Sequence, residues 1–253
     1  FWRAMREGRS RDGRLLYPAF PYTSYSGITR EDSDALFAYL KSLPPVTQAN
    51  RPHELRWPYS TQAALWAWRT LYFEPQRVDT DSRRSAEWNR GAYLVRTLGH
   101  CAECHAPRNR WGALQDAAAL RGGRMAAQRW YAPSLADARE GGAQSWTIDE
   151  TVALLRTGRN AHASVLGPMA EAVLHGTQHL NDADLRAMAS YLRELPSSAL
   201  SPSLSSAPSP AKPSAATTPA LRALGAKRYE EHCAQCHGDQ GQGVGGPHPN
   251  ASA

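Results

Sequence analysis

Two stretches of the chain repeat one pattern of apolar and polar positions. Residues Ile28 to Pro44 align with Leu180 to Pro196 at a constant offset and without a gap. Each predicts an amphipathic helix: Thr29 or Asn181 suits the N-cap, acidic residues fill the first turn, and a proline follows the last turn. Upstream lies a second echo, Arg6-Glu7-Gly8 with Pro18 against Arg156-Thr157-Gly158 with Pro168, again at one offset. A third pairs Gly91-Ala92-Tyr93-Leu94 with Gly225-Ala226-Lys227-Arg228-Tyr229, each opening a helical stretch that ends before a cysteine. The helix over Ala86 to Leu98 places Tyr93, Leu94 and Leu98 on one face. Thr147-Ile148-Asp149-Glu150 reads as a capping box for a short helix reaching Thr157. Loops rich in glycine and proline separate these helices, through Pro107, Gly112, Gly122-Gly123 and Pro133.

Repeats of this kind define the organisation. Residues 1–44 are the back half of a first unit, 85–196 a complete unit, and 220–253 the front half of a third. The expectation is a fragment of a triple-repeat protein, cut at both ends. Residues 197–219 are almost entirely Ser, Ala, Pro and Thr, a composition too poor in apolar bulk to pack, so they read as an extended linker. The connector 45–84 differs, because it carries Trp57, Trp66, Trp68, Tyr72 and Phe73. Such aromatic density either packs against the connector's own neighbours or docks a partner. Short helices, long loops and few strands predict an all-α chain of small domains, each needing a flat cofactor to complete its core.

The cofactor is written in the cysteines. The chain has 4 cysteines, and all fall in two runs, Cys101-Ala102-Glu103-Cys104-His105 and Cys233-Ala234-Gln235-Cys236-His237. Cys-x-x-Cys-His is the attachment signature of c-type haem: two thiols add to the vinyl groups as thioethers and the adjacent imidazole takes the iron. Two attachment sites are therefore expected, with Cys101, Cys104, Cys233 and Cys236 as thioethers and His105 and His237 as proximal ligands. Three other readings compete. A thioredoxin-like pair would follow a strand of a βαβ unit, and no such pattern surrounds either run. A four-cysteine zinc site would not need a histidine after each pair, and a disulfide scaffold likewise leaves both histidines unexplained.

Composition changes this picture little. The 253 residues are 42% hydrophobic and 21% charged, as in a globular protein, with a formal net charge of +6. No Lys/Arg-dense run interleaved with aromatics supports a nucleic-acid partner; the basic sign suits a solvated face or an acidic partner. No apolar run reaches membrane-spanning length. Covalent haem attachment follows export, so the protein is expected on the periplasmic side of the cytoplasmic membrane, and a chain opening on Phe1 without a leader is expected to be truncated or processed.

A six-coordinate haem needs a distal ligand, and a methionine thioether raises its potential. Of Met125, Met169 and Met188 in the complete unit, Met188 lies on an apolar helix face and Met125 in an early loop. Met169, in Leu166-Gly167-Pro168-Met169 between the two late helices, is the expected ligand, with His162, His175 and His179 as alternatives. In the first unit Tyr17-Pro18-Ala19-Phe20-Pro21-Tyr22 puts Phe20 where methionine is expected. That unit either uses Met5, which reads equally as a core residue, or is differently coordinated. Arg108, Arg110 and Trp111 fit either haem-propionate partners or a solvated surface.

These residues resemble a known family. Leu16 to Tyr22, Ser85 to Val95, Gly99-His100-Cys101 and Cys104-His105-Ala106-Pro107-Arg108-Asn109 are similar to the tri-haem cytochrome c subunits of membrane-associated periplasmic dehydrogenases. The likeness spans nearly everything but the 197–219 linker, and Phe20 resembles the subunits paired with molybdenum hydroxylases (aldehyde, nicotinate or isoquinoline oxidoreductases) more than those of alcohol or gluconate dehydrogenases. The resemblance implies tandem class I cytochrome c domains, partial, complete and partial, carrying haem c, with three haems in the full protein. It implies an electron-transfer subunit without substrate chemistry, taking electrons from a molybdenum, quinoprotein or flavin dehydrogenase subunit to ubiquinone or a terminal oxidase at the membrane surface. A diffusible multi-haem cytochrome and a di-haem peroxidase-like enzyme are the alternative readings.

Overall fold

The computed structural model describes residues 1–76, 79–125, 128–140, 142–196 and 218–239. The chain divides into two compact units, Phe1–Ala199 and Leu200–Ala253.

The first unit is built on short helices. Trp2–Glu7 (α1), the single turn Tyr22–Tyr25 (α2) and Arg30–Ser42 (α3) form its opening third. Gln62–Tyr72 (α4) lies in the connector. Ala86–Tyr93 (α5) runs into a π-helical turn, Leu94–Leu98, and the short helix Ala102–His105 (α6) follows. A two-stranded antiparallel ribbon, Gly123–Met125 (β1) and Trp130–Ala132 (β2), comes next. Ile148–Thr157 (α7), Pro168–His175 (α8) and Asp182–Arg193 (α9) close the unit. Among the described residues no helix is long and apolar enough to cross a membrane.

The expected caps form. Thr29 and Asn181 accept from the backbone N–H of Asp32 and Asp184, and Thr147 with Glu150 makes a reciprocal capping box. The predicted helix over Ala86 to Leu98 is not a uniform α-helix. Gly91 stands ten residues before Cys101, whereas Gly225 stands eight before Cys233. The two extra residues are Gly99 and His100, which follow the helix, whereas Pro219–His232 runs straight to Cys233. The π-helical turn, with Gly99 N–H donating to Leu94 O at 2.7 Å, shifts the phase of the helix. Tyr93 accordingly leaves the core face: its hydroxyl donates to Asp32 at 2.6 Å and accepts from the Thr29 N–H.

The core sits where α9 crosses α5. Leu185, Met188, Ala189, Tyr191, Leu192 and Leu195 are buried there with Ala92, Leu94 and Val95. Gly91 makes the crossing possible, because a Cβ at that position would fall on the Ala187 carbonyl. Trp88 packs edge-on against Tyr191 at 5.1 Å. Arg90 makes a two-pronged ion pair from α5 to Asp184 of α9, at 2.8 and 3.0 Å.

The repeat is visible in hydrogen bonds. Gly8 and Gly158 both end a helix in the left-handed conformation, and their carbonyls accept from Leu16 and Val165 N–H, each at 2.8 Å. The intervening loop is one residue shorter in the second copy, so the ungapped pairing of Pro18 with Pro168 does not hold. Counting on from the paired bonds brings Phe20 to the place of Met169. The two repeat helices differ in burial. Leu36, Phe37, Tyr39, Leu40 and Leu43 of the α3 copy are 39% to 62% exposed, while their α9 counterparts, Met188, Ala189, Tyr191, Leu192 and Leu195, are at most 5% exposed. Among the described residues α3 has no helix in the place that α5 takes against α9.

The connector packs against its own neighbours. Gln62 exchanges hydrogen bonds with the Leu15 backbone, Trp68 Nε1 donates to the Trp111 carbonyl at 2.9 Å, and Arg69 donates to the Glu7 carbonyl while lying over the Phe73 ring at 4.1 Å. Trp57 and Trp66 stay exposed.

The second unit contributes Pro219–His232 (α10), capped by Thr218, and Ala234–His237 (α11). The helix thus starts on the last residue of the expected linker, the rest of which, up to residue 217, lies outside the described residues.

Two outcomes follow for the α5–α9 crossing. Gly91→Ala is expected to cost about 3 kcal/mol in thermal unfolding, since the helices must separate to admit the methyl group. The Arg90 guanidinium, hydrogen bonding to Asp184 ahead of any burial effect, holds that carboxyl below its ordinary value. The pair's stability is therefore present above the unfolded-state value near ~4 and lost as pH falls through the lower folded value. Arg90→Met is expected to cost about 1 kcal/mol at neutral pH, and the difference from wild type to vanish in strongly acidic denaturation curves.

Candidate haem site

The Cys101-to-His105 segment is aimed by what precedes it. The π-helical turn ends at Gly99, His100 takes a left-handed conformation (φ 39°), and Cys101 N–H returns to the Val95 carbonyl at 3.2 Å. One turn of helix follows, closed by His105 N–H donating to Cys101 O at 2.8 Å. Ala102 and Ala106 face the core, and Cys101 packs on its rim. The two thiols stand within one helical turn, and Cys101, Cys104 and Cys233 are unpaired.

His105 is buried, and its Nδ1 donates to the Pro133 carbonyl at 2.7 Å. A carbonyl only accepts, so that contact places the proton on Nδ1 and leaves the Nε2 lone pair free. Burial pushes the imidazole's pKa down, with the Pro133 carbonyl opposing, so the ring stays neutral. The segment is held from behind as well: Gly122 N–H donates to the His105 carbonyl at 2.8 Å, and β1 approaches so closely that a Cβ on Gly123 would strike the Cys104 and Ala106 carbonyls. Burial drives the Cys101 thiol up to about 12. For Cys104, burial acts first and the Glu103 charge second, both upward, with Arg108 opposing. Such thiols are not primed as anionic nucleophiles.

Met169, on the first turn of α8, packs against the same buried cluster that holds Ala102 and Ala106. Its loop is shaped by Gly167 (φ 53°), which lies directly against the Trp130 ring. The other candidates are placed elsewhere. Met188 is core on α9, and Met125 ends β1. His162 is engaged by Glu150 at 2.9 Å and stacked on Trp146, His179 meets the Leu174 carbonyl, and His175 is exposed at the end of α8. Met5 is buried on α1. Cys233 precedes α11, and the side chains of Cys236 and His237 lie outside the described residues.

Two partners of the segment had no sequence signal. One is Pro133, which acts through its backbone carbonyl, a group common to all residues. The other is the pair of α2 hydroxyls, Ser24 and Thr23, which donate to Oε1 of Glu103 within the segment at 3.0 and 3.2 Å. Arg108, read as a propionate partner or a solvated side chain, instead donates to the Glu103 carboxylate at 2.5 Å and to the Gly112 carbonyl.

The residues fit a haem: a neutral buried imidazole with a free Nε2, two unpaired thiols one turn apart, and a thioether on the rim of the same core. Comparison with known proteins agrees. Residues 89–196 match the cytochrome c family model. The chain is 37% identical to the fructose dehydrogenase cytochrome subunit of Gluconobacter japonicus, over 96% of this chain and 52% of that protein. It is 38% identical to a nicotinate dehydrogenase subunit of Pseudomonas putida, over 94% of this chain and 20% of that protein. It is 34% identical to the cytochrome c subunit of the quinone alcohol dehydrogenase of Gluconobacter oxydans, over 96% and 52%. The chain thus spans about half the length of the first and third of these relatives and a fifth of the second.

Gly167→Ala is expected to cost about 2 kcal/mol in thermal unfolding, combining a left-handed backbone with a clash against Trp130. Gly112→Ala is the control: its φ is also positive (78°) but its surroundings are open, so about 1 kcal/mol is expected.

Proposed function

Residues 89–196 are a cytochrome c domain, and from that premise we propose that the chain is part of a multi-haem c-type electron-transfer subunit. A cytochrome c domain implies haem c, which when bound supplies one-electron exchange between ferrous and ferric iron. The chain's own residues hold and tune it. Cys101 and Cys104 anchor the middle haem by thioethers, His105 offers Nε2 with its tautomer set by Pro133, and Met169 offers the distal thioether. Cys233, Cys236 and His237 do the same for a second haem, and three haems are expected in the full protein. Met5 is the thioether available to the first unit; Phe20, in the place of Met169, has none to give.

In this reading 1–44, 85–196 and 220–253 are partial, complete and partial cytochrome c domains, joined by the connector 45–84 and the linker 197–219. The chain carries no substrate chemistry. It takes electrons from a catalytic dehydrogenase subunit of molybdenum, quinoprotein or flavin type and passes them to ubiquinone or a terminal oxidase on the periplasmic side of the membrane. The similarity to cytochrome subunits of fructose and alcohol dehydrogenases supports the pairing with a catalytic partner. The observation that carries the reading is the buried His105 with its proton committed to Pro133 beside two unpaired thiols.

The test is a pyridine haemochrome and a reduced-minus-oxidised spectrum of the periplasmically expressed chain. A c-type spectrum with two covalent haems per chain is expected, and Met169→Ala is expected to lose the weak long-wavelength band that a thioether gives ferric haem. Absence of covalent haem would sink the proposal; haem with that band intact in the variant would move the distal ligand elsewhere.

A further inference from the structure

The two haem-attachment segments differ at one inner position. Cys101-Ala102-Glu103-Cys104-His105 carries a carboxylate where Cys233-Ala234-Gln235-Cys236-His237 carries a neutral amide. The Glu103 side chain is only 14% exposed, whereas Gln235 is exposed. Every oxygen of the Glu103 carboxylate is spoken for: Oε1 accepts from Thr23 and from the buried Ser24 of α2, and Oε2 accepts from Arg108. A carboxylate in that position does two things at once. It fastens the helical turn bearing both thiols to the preceding repeat, and it places a half-buried negative charge next in sequence to Cys104.

We propose that Glu103 is a positioning and potential-setting residue for the middle haem, latching its attachment helix to α2 and holding its midpoint potential lower than a neutral residue would. The proposal rests on the haem reading above. Its physical basis is charge: ferric haem bears one more positive charge than ferrous, so a nearby carboxylate favours the oxidised form. Arg108 offsets part of the effect, and in Glu103→Gln its guanidinium, still held by the Glu103 and Gly112 carbonyls, is left unopposed, which adds to the upward shift.

The test is a potentiometric titration of the haem-loaded chain with thermal unfolding alongside, comparing wild type with Glu103→Gln, Glu103→Asp and Arg108→Gln. Glu103→Gln is expected to raise one midpoint, changing the ferrous-to-ferric ratio at fixed potential by roughly threefold to tenfold, and to leave the other in place. Glu103→Asp keeps the charge but not the reach, so its midpoint stays near wild type while its melting temperature falls. An unmoved midpoint in Glu103→Gln, or equal shifts in the Gln and Asp variants, overturns the proposal. Should Glu103→Gln not fold, Arg108→Gln decides: a lowered midpoint of the middle haem on removal of the opposing charge supports charge control at this position, and no change overturns it. A wild-type chain without covalent haem overturns the haem reading itself and is distinguished before any variant is titrated.

Discussion

The structure depends on one close approach, that of Gly91 to the Ala187 carbonyl where α5 crosses α9. Two helices far apart in sequence come close enough there for Leu185, Met188, Tyr191 and Leu192 to close over Ala92, Leu94 and Val95. Any side chain at 91 would hold the helices apart and open that cluster to water, and close-packed interiors do not absorb such a wedge. The direction in which α5 leaves the crossing then determines where the attachment segment begins. The π-helical turn at Leu94–Leu98 converts that direction into the entry to Cys101.

From the crossing outward, the site is assembled by backbone groups more than by side chains. Pro133 supplies a carbonyl to His105, Gly122 supplies an N–H to the His105 carbonyl, and Gly123 lets the ribbon lie against the back of the segment. The result is an imidazole whose orientation, tautomer and neutrality are all determined before any metal is considered. The carbonyl that does this comes from the loop after the ribbon, so the short strands have a purpose out of proportion to their length.

The repeat gives the chain an internal comparison. Within 85–196, α9 is covered by α5; α3 has a similar run of apolar positions at the same spacing but bears it to solvent. Similar helical patterns thus end in opposite environments, and the difference among the described residues lies in the presence of a partner helix. The opening segment is instead tied laterally to residues 85–196, through Tyr93 with Asp32 and Glu103 with Thr23 and Ser24, and to the connector through Arg69 with Glu7.

The sequence by itself determined the chemistry and the rhythm of the elements. Two Cys-x-x-Cys-His runs name the cofactor class, because thiol and imidazole at that spacing serve one covalent attachment; capping residues at Thr29, Thr147 and Asn181 set helix starts, because caps act within a turn of chain. What it did not reveal are interactions between residues distant in sequence whose identity is incidental. The Pro133 carbonyl is chemically like any other backbone carbonyl. The π-helical turn leaves no mark in the pattern of apolar positions. The one-residue difference in loop length after Gly8 and Gly158 is hidden by a fortuitous match of prolines, and the pairing of Glu103 with α2 joins residues about eighty positions apart. Local rules reach a few residues along the chain; which carbonyl, hydroxyl or helix face meets the attachment segment is decided only when packing brings the distant parts together.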